Sequence, residues 1–116
     1  MTYTSKIDEV KDYIILEILS GKIKNGEKLK DKRFFTSKFK INPTYFYEVV
    51  DLLEKENIIE KRTDGNYFIF DNKLVGLLRN QYLNNYINEF IKDIEKIGLT
   101  LDDAIDIIKL RSLANG

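Results

Sequence analysis

The chain has 116 residues, 33% charged and 43% hydrophobic, with one proline and no cysteine, histidine or tryptophan. That length suits one compact domain or a small domain with an appendage, and the missing side chains exclude a disulfide framework, a thiolate zinc site, a thiol nucleophile and the commonest general base. Basic and acidic residues balance at 19 each, yet eight basic residues fall within 22–40 against Glu27 and Asp31, whereas within 41–60 five acidic residues face Lys55 alone.

Ile7, Val10, Ile14 and Ile18 recur at the spacing of one helix face, and Gly21 supplies a left-handed stop, which predicts a helix over 7–20. Segment 22–30 contains the turn dipeptide Asn25-Gly26 and no sustained period, so it reads as a connector with room for a short strand near Lys28-Leu29. Asp31 is placed to cap a short helix that carries Phe34 and buries Phe35 and Phe39. After a break at Lys40-Ile41, Asn42 as cap and Pro43 at the first helical position restart the helical pattern. Phe46, Val49, Val50 and Leu53 line the inner face of this second helix, and Asn57 closes it. Two helices joined by a turn of three or four residues have the dimensions of a helix-turn-helix.

Segments 58–62 and 67–70, rich in β-branched and aromatic residues and separated by Thr63-Asp64-Gly65-Asn66, predict a β-hairpin. Helix, helix, turn, helix, hairpin is the order of a winged helix-turn-helix. Leu74, Leu77, Leu78, Tyr82, Leu83, Tyr86, Ile87, Phe90, Ile91, Ile94 and Ile97 then form a continuous stripe along a long helix ended by Gly98. Thr100 to Asp103 resembles a capping box and opens a last helix to about residue 113. Two helices do not hide so wide a stripe from each other, which implies a partner subunit. The expected fold is mainly α: a winged helix-turn-helix of three helices plus a hairpin wing over 1–71, then two dimerisation helices over 72–116. Leu78, Tyr82, Tyr86, Phe90, Ile94, Ile105 and Ile108 are the expected homodimer interface.

Three stretches resemble the GntR-type bacterial transcription regulators. Residues 18–29, with Ser20-Gly21 and Gly26, look like the opening signature of that family. Residues 52–62 look like the end of its recognition helix running into the wing. Residues 90–110, bent at Ile97-Gly98-Leu99-Thr100, resemble the two-helix tail of the YtrA subfamily. The likeness spans nearly the whole chain and is strongest in the joint spacing of Ser20-Gly21, Gly26, Arg33 and Glu56 to Arg62. It implies a dimeric winged-helix repressor of double-stranded DNA that binds an inverted-repeat operator, with no large effector domain. Similar proteins often regulate membrane-transporter operons. The sequence departs from the pattern at Pro43 and Tyr47, where arginine is usual, so neither offers guanine a bidentate contact. Asn25 stands for the usual proline and Lys32 for the usual glutamate, and the wing tip has one glycine where two are common.

Affinity for a duplex comes chiefly from neutralised phosphates. Lys30, Lys32, Arg33, Lys38 and Lys40 flank the first helix of the helix-turn-helix, the element that crosses the backbone, and the resemblance gives Arg33 a phosphate-contact role. The bland alternative is a solvated charged face. At the front of the second helix, Asn42 suits adenine, and Thr44, Tyr45 and Tyr47 suit phosphate or a thymine methyl; Asn42 also reads as a plain cap, and Tyr47 as packing against hairpin or tail. Lys61, Arg62 and Asn66 would set the wing on the backbone or in the minor groove. Tyr82 and Tyr86, beside Asn80, Asn84, Asn85 and Asn88, are candidate lining for a small-molecule effector pocket between tail and winged domain.

No cofactor or metal is expected, nor an enzyme: Asp102, Asp103 and Asp106 fit helix capping and a solvated face, and no glycine-rich phosphate loop or nucleophile motif occurs. No apolar run approaches the ~20 residues that span a bilayer, so a cytoplasmic protein with no membrane partner is expected. The rival reading is a winged-helix protein-interaction module that has lost specific DNA binding.

Overall fold

The computed structural model describes residues 5–115. Its elements follow in the order α1 (Lys6–Leu19), α2 (Lys32–Phe39), α3 (Pro43–Lys55), β1 (Ile59–Arg62), β2 (Gly65–Phe68), α4 (Asn72–Lys96) and α5 (Leu101–Asn115), the mainly helical winged architecture that the sequence predicts. The chain divides into two compact units, Met1–Leu78 and Arg79–Gly116, with the division falling within α4. No helix among the described residues is long and apolar enough to cross a membrane.

In the first unit, local chemistry sets the helix ends. The Ser5 hydroxyl accepts the Asp8 N–H at 3.1 Å to open α1, and Asp31 accepts the Phe34 N–H at 3.0 Å to open α2. Lys40 closes α2 in the left-handed region at φ 52°, so two residues suffice before α3 begins. The inner faces of α1 (Val10, Ile14, Ile15, Ile18) and α3 (Phe46, Val49, Val50, Leu53) are buried with Phe35, Leu29, Ile58, Ile59, Phe68 and Phe70. Phe39 differs from expectation. It is half-buried, because it sits on the last turn of α2 with its ring edge-on to Tyr13 at 5.4 Å.

The hairpin is tighter than the sequence suggests. Its register runs from Ile59 opposite Phe68 to Arg62 opposite Gly65, which leaves only Thr63 and Asp64 in the turn and ends β2 before Ile69. Two causes shift the strand. Gly65 adopts φ +143°, open to glycine and strained for other residues. The connector also docks along the outer edge of β2: Gly26 N–H donates to the Phe68 carbonyl at 2.8 Å, Phe68 N–H to Glu27 at 2.9 Å and Leu29 N–H to Asn66 at 2.7 Å. The short strand expected near Lys28-Leu29 is present as a single bridge, Lys28 opposite Tyr67.

In the second unit, Gly98 at φ +79° lets Leu99 N–H return to the Ile94 carbonyl at 3.0 Å and end α4. Thr100 and Asp103 cap α5 reciprocally: the Asp103 N–H donates to the Thr100 hydroxyl at 3.1 Å, and the Thr100 N–H to the Asp103 carboxylate at 2.9 Å. These bonds hold the Asp103 carboxyl below its usual range. Ile94 and Ala104 are buried. Leu83, Tyr86, Ile87, Phe90 and Ile97 along α4 stay exposed, as do Leu101, Ile105, Ile108 and Leu113 along α5.

Candidate nucleic-acid interface

Lys28, Lys30 and Lys32, at every second position on the way into α2, line a cleft of about 490 Å³ together with Leu29, Asp31 and Phe46 and with Asp64, Gly65 and Asn66 of the wing tip. Both carboxylates in this cleft are already engaged. Asp31 caps α2, and Asp64 accepts the Tyr67 hydroxyl at 2.6 Å. All three lysines are exposed, and neither of these carboxylates pairs with them: Lys30 lies over the Phe34 ring at 4.3 Å, and Lys32 donates to the Tyr47 hydroxyl at 3.4 Å. Lys28 presses against Gly65, where an added Cβ would lie 2.4 Å from its Cε.

The front of α3 is open. Asn42, Thr44, Tyr45 and Tyr47 are all exposed, and the N-terminal end of α3 adds the partial positive charge of its unpaired amides. Asn42 does not cap with its side chain. Its backbone carbonyl takes the Tyr45 N–H at 3.0 Å instead, and Pro43 has no N–H to offer, so the asparagine amide is not spent on the helix. Tyr47 does not pack on the hairpin. It is 53% exposed, with Phe46 edge-on at 5.7 Å and Lys32 beside it.

The other expected contact residues are dispersed. Arg33 is exposed on the first turn of α2. Lys38 and Lys40 lie at the opposite end of α2 from the cleft, with Lys38 over the Tyr13 ring at 5.0 Å. Lys61 points back to α3, where Asp51 at 2.6 Å and Glu54 at 3.6 Å hold it; the Asp51 hydrogen bond raises its pKa above the usual lysine value. Arg62 pairs with Glu60 at 2.8 Å and lies over the Tyr67 ring at 4.6 Å. Asn66 is half-buried in the ladder. Sequence reasoning missed Lys28, although its alternation with Lys30 and Lys32 is the signal, and it had no means of pairing Lys61 with Asp51.

The Tyr67 hydrogen bond holds the Asp64 carboxyl below the usual carboxylate range, and Asp64 in turn raises the Tyr67 phenol. A folded-state value lowered for Asp64 means the bond is intact at neutral pH and lost as pH falls through that lowered value. In a carbon NMR titration, Tyr67→Phe is therefore expected to raise the Asp64 midpoint toward the ordinary range. An unmoved midpoint would refute the bond.

Of the residues expected at a dimer interface, Leu78 is buried in the first unit and Ile94 in the second. Tyr82 is half-buried with its ring edge-on to Tyr86 at 6.1 Å. Tyr86, Phe90, Ile105 and Ile108 remain exposed.

The sequence matches no family model. It is 24% identical over 102 residues to an uncharacterised HTH-type transcriptional regulator, YhcF of Bacillus subtilis, covering 87% of this chain and 84% of that protein. The fold matches a GntR family transcriptional regulator from Listeria monocytogenes with a TM-score of 0.78 at 26% identity, over 94% of this chain and 96% of the other. It also matches YtrA from Sulfolobus acidocaldarius, a GntR-family transcription factor, with a TM-score of 0.55 at 20% identity, over 99% of this chain and 95% of the other. The likeness to GntR-type regulators, YtrA among them, is borne out, and the proteins in question are regulators of transcription, not enzymes.

Proposed function

On the premise of a GntR-type winged-helix fold, we propose that this chain is a DNA-binding transcription regulator that acts in the cytoplasm as a dimeric repressor on an inverted-repeat operator. The observation that carries the reading is the continuity of the exposed α3 front with the lysine-lined cleft: Asn42, Thr44, Tyr45 and Tyr47 offer hydrogen bonds and apolar edges, and Lys28, Lys30, Lys32 and Arg33 offer charge for phosphates beside them. With no arginine at positions 43 and 47, base readout falls to Asn42 and the tyrosines.

The exposed apolar rows of α4 and α5 support the dimer, because a water-soluble monomer does not commonly leave so many large side chains bare. Two-fold symmetry then pairs two α3 helices with half-sites one helical turn, or a multiple of it, apart. By analogy with similar proteins, the operator belongs to a membrane-transporter operon. Selection from random duplexes with the purified chain is expected to return an inverted repeat, and sedimentation is expected to give twice the 13.7 kDa chain mass. A monomer at tens of micromolar would refute the dimer, and binding with no salt dependence or preference for an inverted repeat would favour an interaction module that has lost specific DNA binding.

Lys61 adds a quantitative expectation. Held by two carboxylates of α3, it reaches phosphate only by leaving them. Asp51→Asn is expected to tighten binding about tenfold at low salt, since it both releases a cation and removes an anion beside the duplex. Fluorescence anisotropy at matched ionic strength checks this, and weaker binding would exclude Lys61 from the interface.

A further inference from the structure

Within the first unit, a cavity of about 210 Å³ lies between α1, the connector and α2. Its walls are largely apolar, with Ile23, Leu29, Phe34, Phe35 and Phe68 among them, and its charged lining is Lys22, Lys28 and Lys30 against Glu17 and Glu27. One opposed pair cancels. The Lys22 ammonium stands 3.9 Å from Glu17 Oε2, and the Tyr13 hydroxyl hydrogen-bonds to the same carboxylate. Lys28 and Lys30 then face the exposed Glu27 alone, which leaves the cavity with a positive balance. Lys30 lies over the Phe34 ring, 4.3 Å from its centre, so its ammonium stands beside the aromatic wall. Lys28 leans on Gly65 of the wing tip.

Lys28, Leu29 and Lys30 line both this cavity and the lysine-lined cleft, so the connector is the wall between them. Its backbone is fixed there, with Leu29 N–H bonded to the Asn66 carbonyl at 2.7 Å. The two lysines, by contrast, carry exposed ammonium groups on flexible stems that can turn to either side. Apolar aromatic walls suit a hydrophobic body oriented by a few polar groups, and here the polar groups left over are cations. We propose that this cavity binds a small organic carboxylate of the arylacetate class, its ring lying against Leu29, Phe34 and Phe68 and its carboxylate accepting from Lys30 and Lys28. The volume is below that of drug-sized sites, which restricts the ligand to a single ring with a short anionic arm. A carboxylate bound there occupies ammonium groups that otherwise neutralise phosphate, so ligand and duplex each weaken the other's binding by the same factor. That coupling rests on the DNA-binding reading, whereas the carboxylate binding itself does not.

Amide NMR titration of the full chain with phenylacetate, with phenylacetamide as the uncharged control of the same shape, tests the site. Saturable shifts are expected at Ile23, Leu29 and Phe34 with phenylacetate, and binding at least about tenfold weaker with phenylacetamide. Lys30→Met, which keeps an apolar stem and removes the ammonium from an exposed position, is expected to weaken phenylacetate binding at least about tenfold. Lys55→Met removes the same charge from the end of α3, away from the cavity, and is expected to leave it unchanged. No saturable shift with phenylacetate, equal affinity for phenylacetamide, an unchanged affinity in Lys30→Met or an equal loss in Lys55→Met would overturn the proposal. Saturating phenylacetate at matched ionic strength is expected to weaken duplex binding severalfold in fluorescence anisotropy, and an unchanged duplex affinity would overturn the coupling. Phenylacetate binding by a chain that binds no DNA would refute the regulator reading and leave the cavity assignment standing.

Discussion

A chain carrying alanine at Lys30, Lys32 and Arg33 is expected to bind duplex DNA far more weakly and with a flatter salt dependence. Each neutralised phosphate contributes about 0.9 to the slope of log K against log salt, so three lost contacts flatten it by about 2.7 and lower affinity at about 0.1 M salt by up to roughly 500-fold. The effect should be alike for operator and random duplexes, because phosphate contacts position the protein without reading sequence. Asn42→Ala is the internal contrast, expected to reduce preference for the operator while leaving the slope unchanged. Anisotropy across a salt series gives both quantities, and a triple variant with the parental slope would place the phosphate surface elsewhere.

The largest loss of stability is expected from Phe35→Ala. Phe35 is 2% exposed, stacked on Phe39 at 6.3 Å and in ring contact with Tyr13, Phe34 and Phe46. One side chain thus ties α1, α2 and α3 together. Truncating such a phenylalanine costs about 3–5 kcal/mol, through lost transfer energy and the cavity left behind, out of a total of roughly 5–15 kcal/mol for a typical domain. Phe39→Ala is expected to cost clearly less, since its ring is half-buried and water can fill the gap. Urea denaturation of both variants checks the ranking, and equal losses would refute the central place given to Phe35.

The helices were legible in the sequence because their signals are local. Ile7, Val10, Ile14 and Ile18 share a face by spacing alone, and Asn42-Pro43 can begin a helix but not continue one. The hairpin boundaries were not legible, because Asp64-Gly65-Asn66 has turn composition, and only the pairing of Asn66 with Lys61 on one side and the bond from Leu29 N–H to its carbonyl on the other draw Asn66 into a strand. The candidate interface divides in the same way. Exposure of Thr44, Tyr45 and Tyr47 follows from the helical period once Phe46 and Val50 face inward. The attachment of Lys61 to Asp51 depends on how the hairpin folds back over α3, a tertiary event with no trace in local pattern. The side chain of Asn42 reads as a cap by residue type, and only the backbone bond to Tyr45 shows that role taken by its carbonyl.

Bonded on one edge by β1 and on the other by 26–29, β2 leaves the wing a single place to grow. Every residue of 59–62 and 65–68 is a rung whose displacement by one position would turn Phe68 and Ile59 out of the core. Thr63 and Asp64 alone stand outside the ladder. Residues inserted between Arg62 and Gly65 would lengthen the ribbon outward while every existing rung keeps its partner, so the length of the wing is a property this scaffold can alter without refolding anything beneath it.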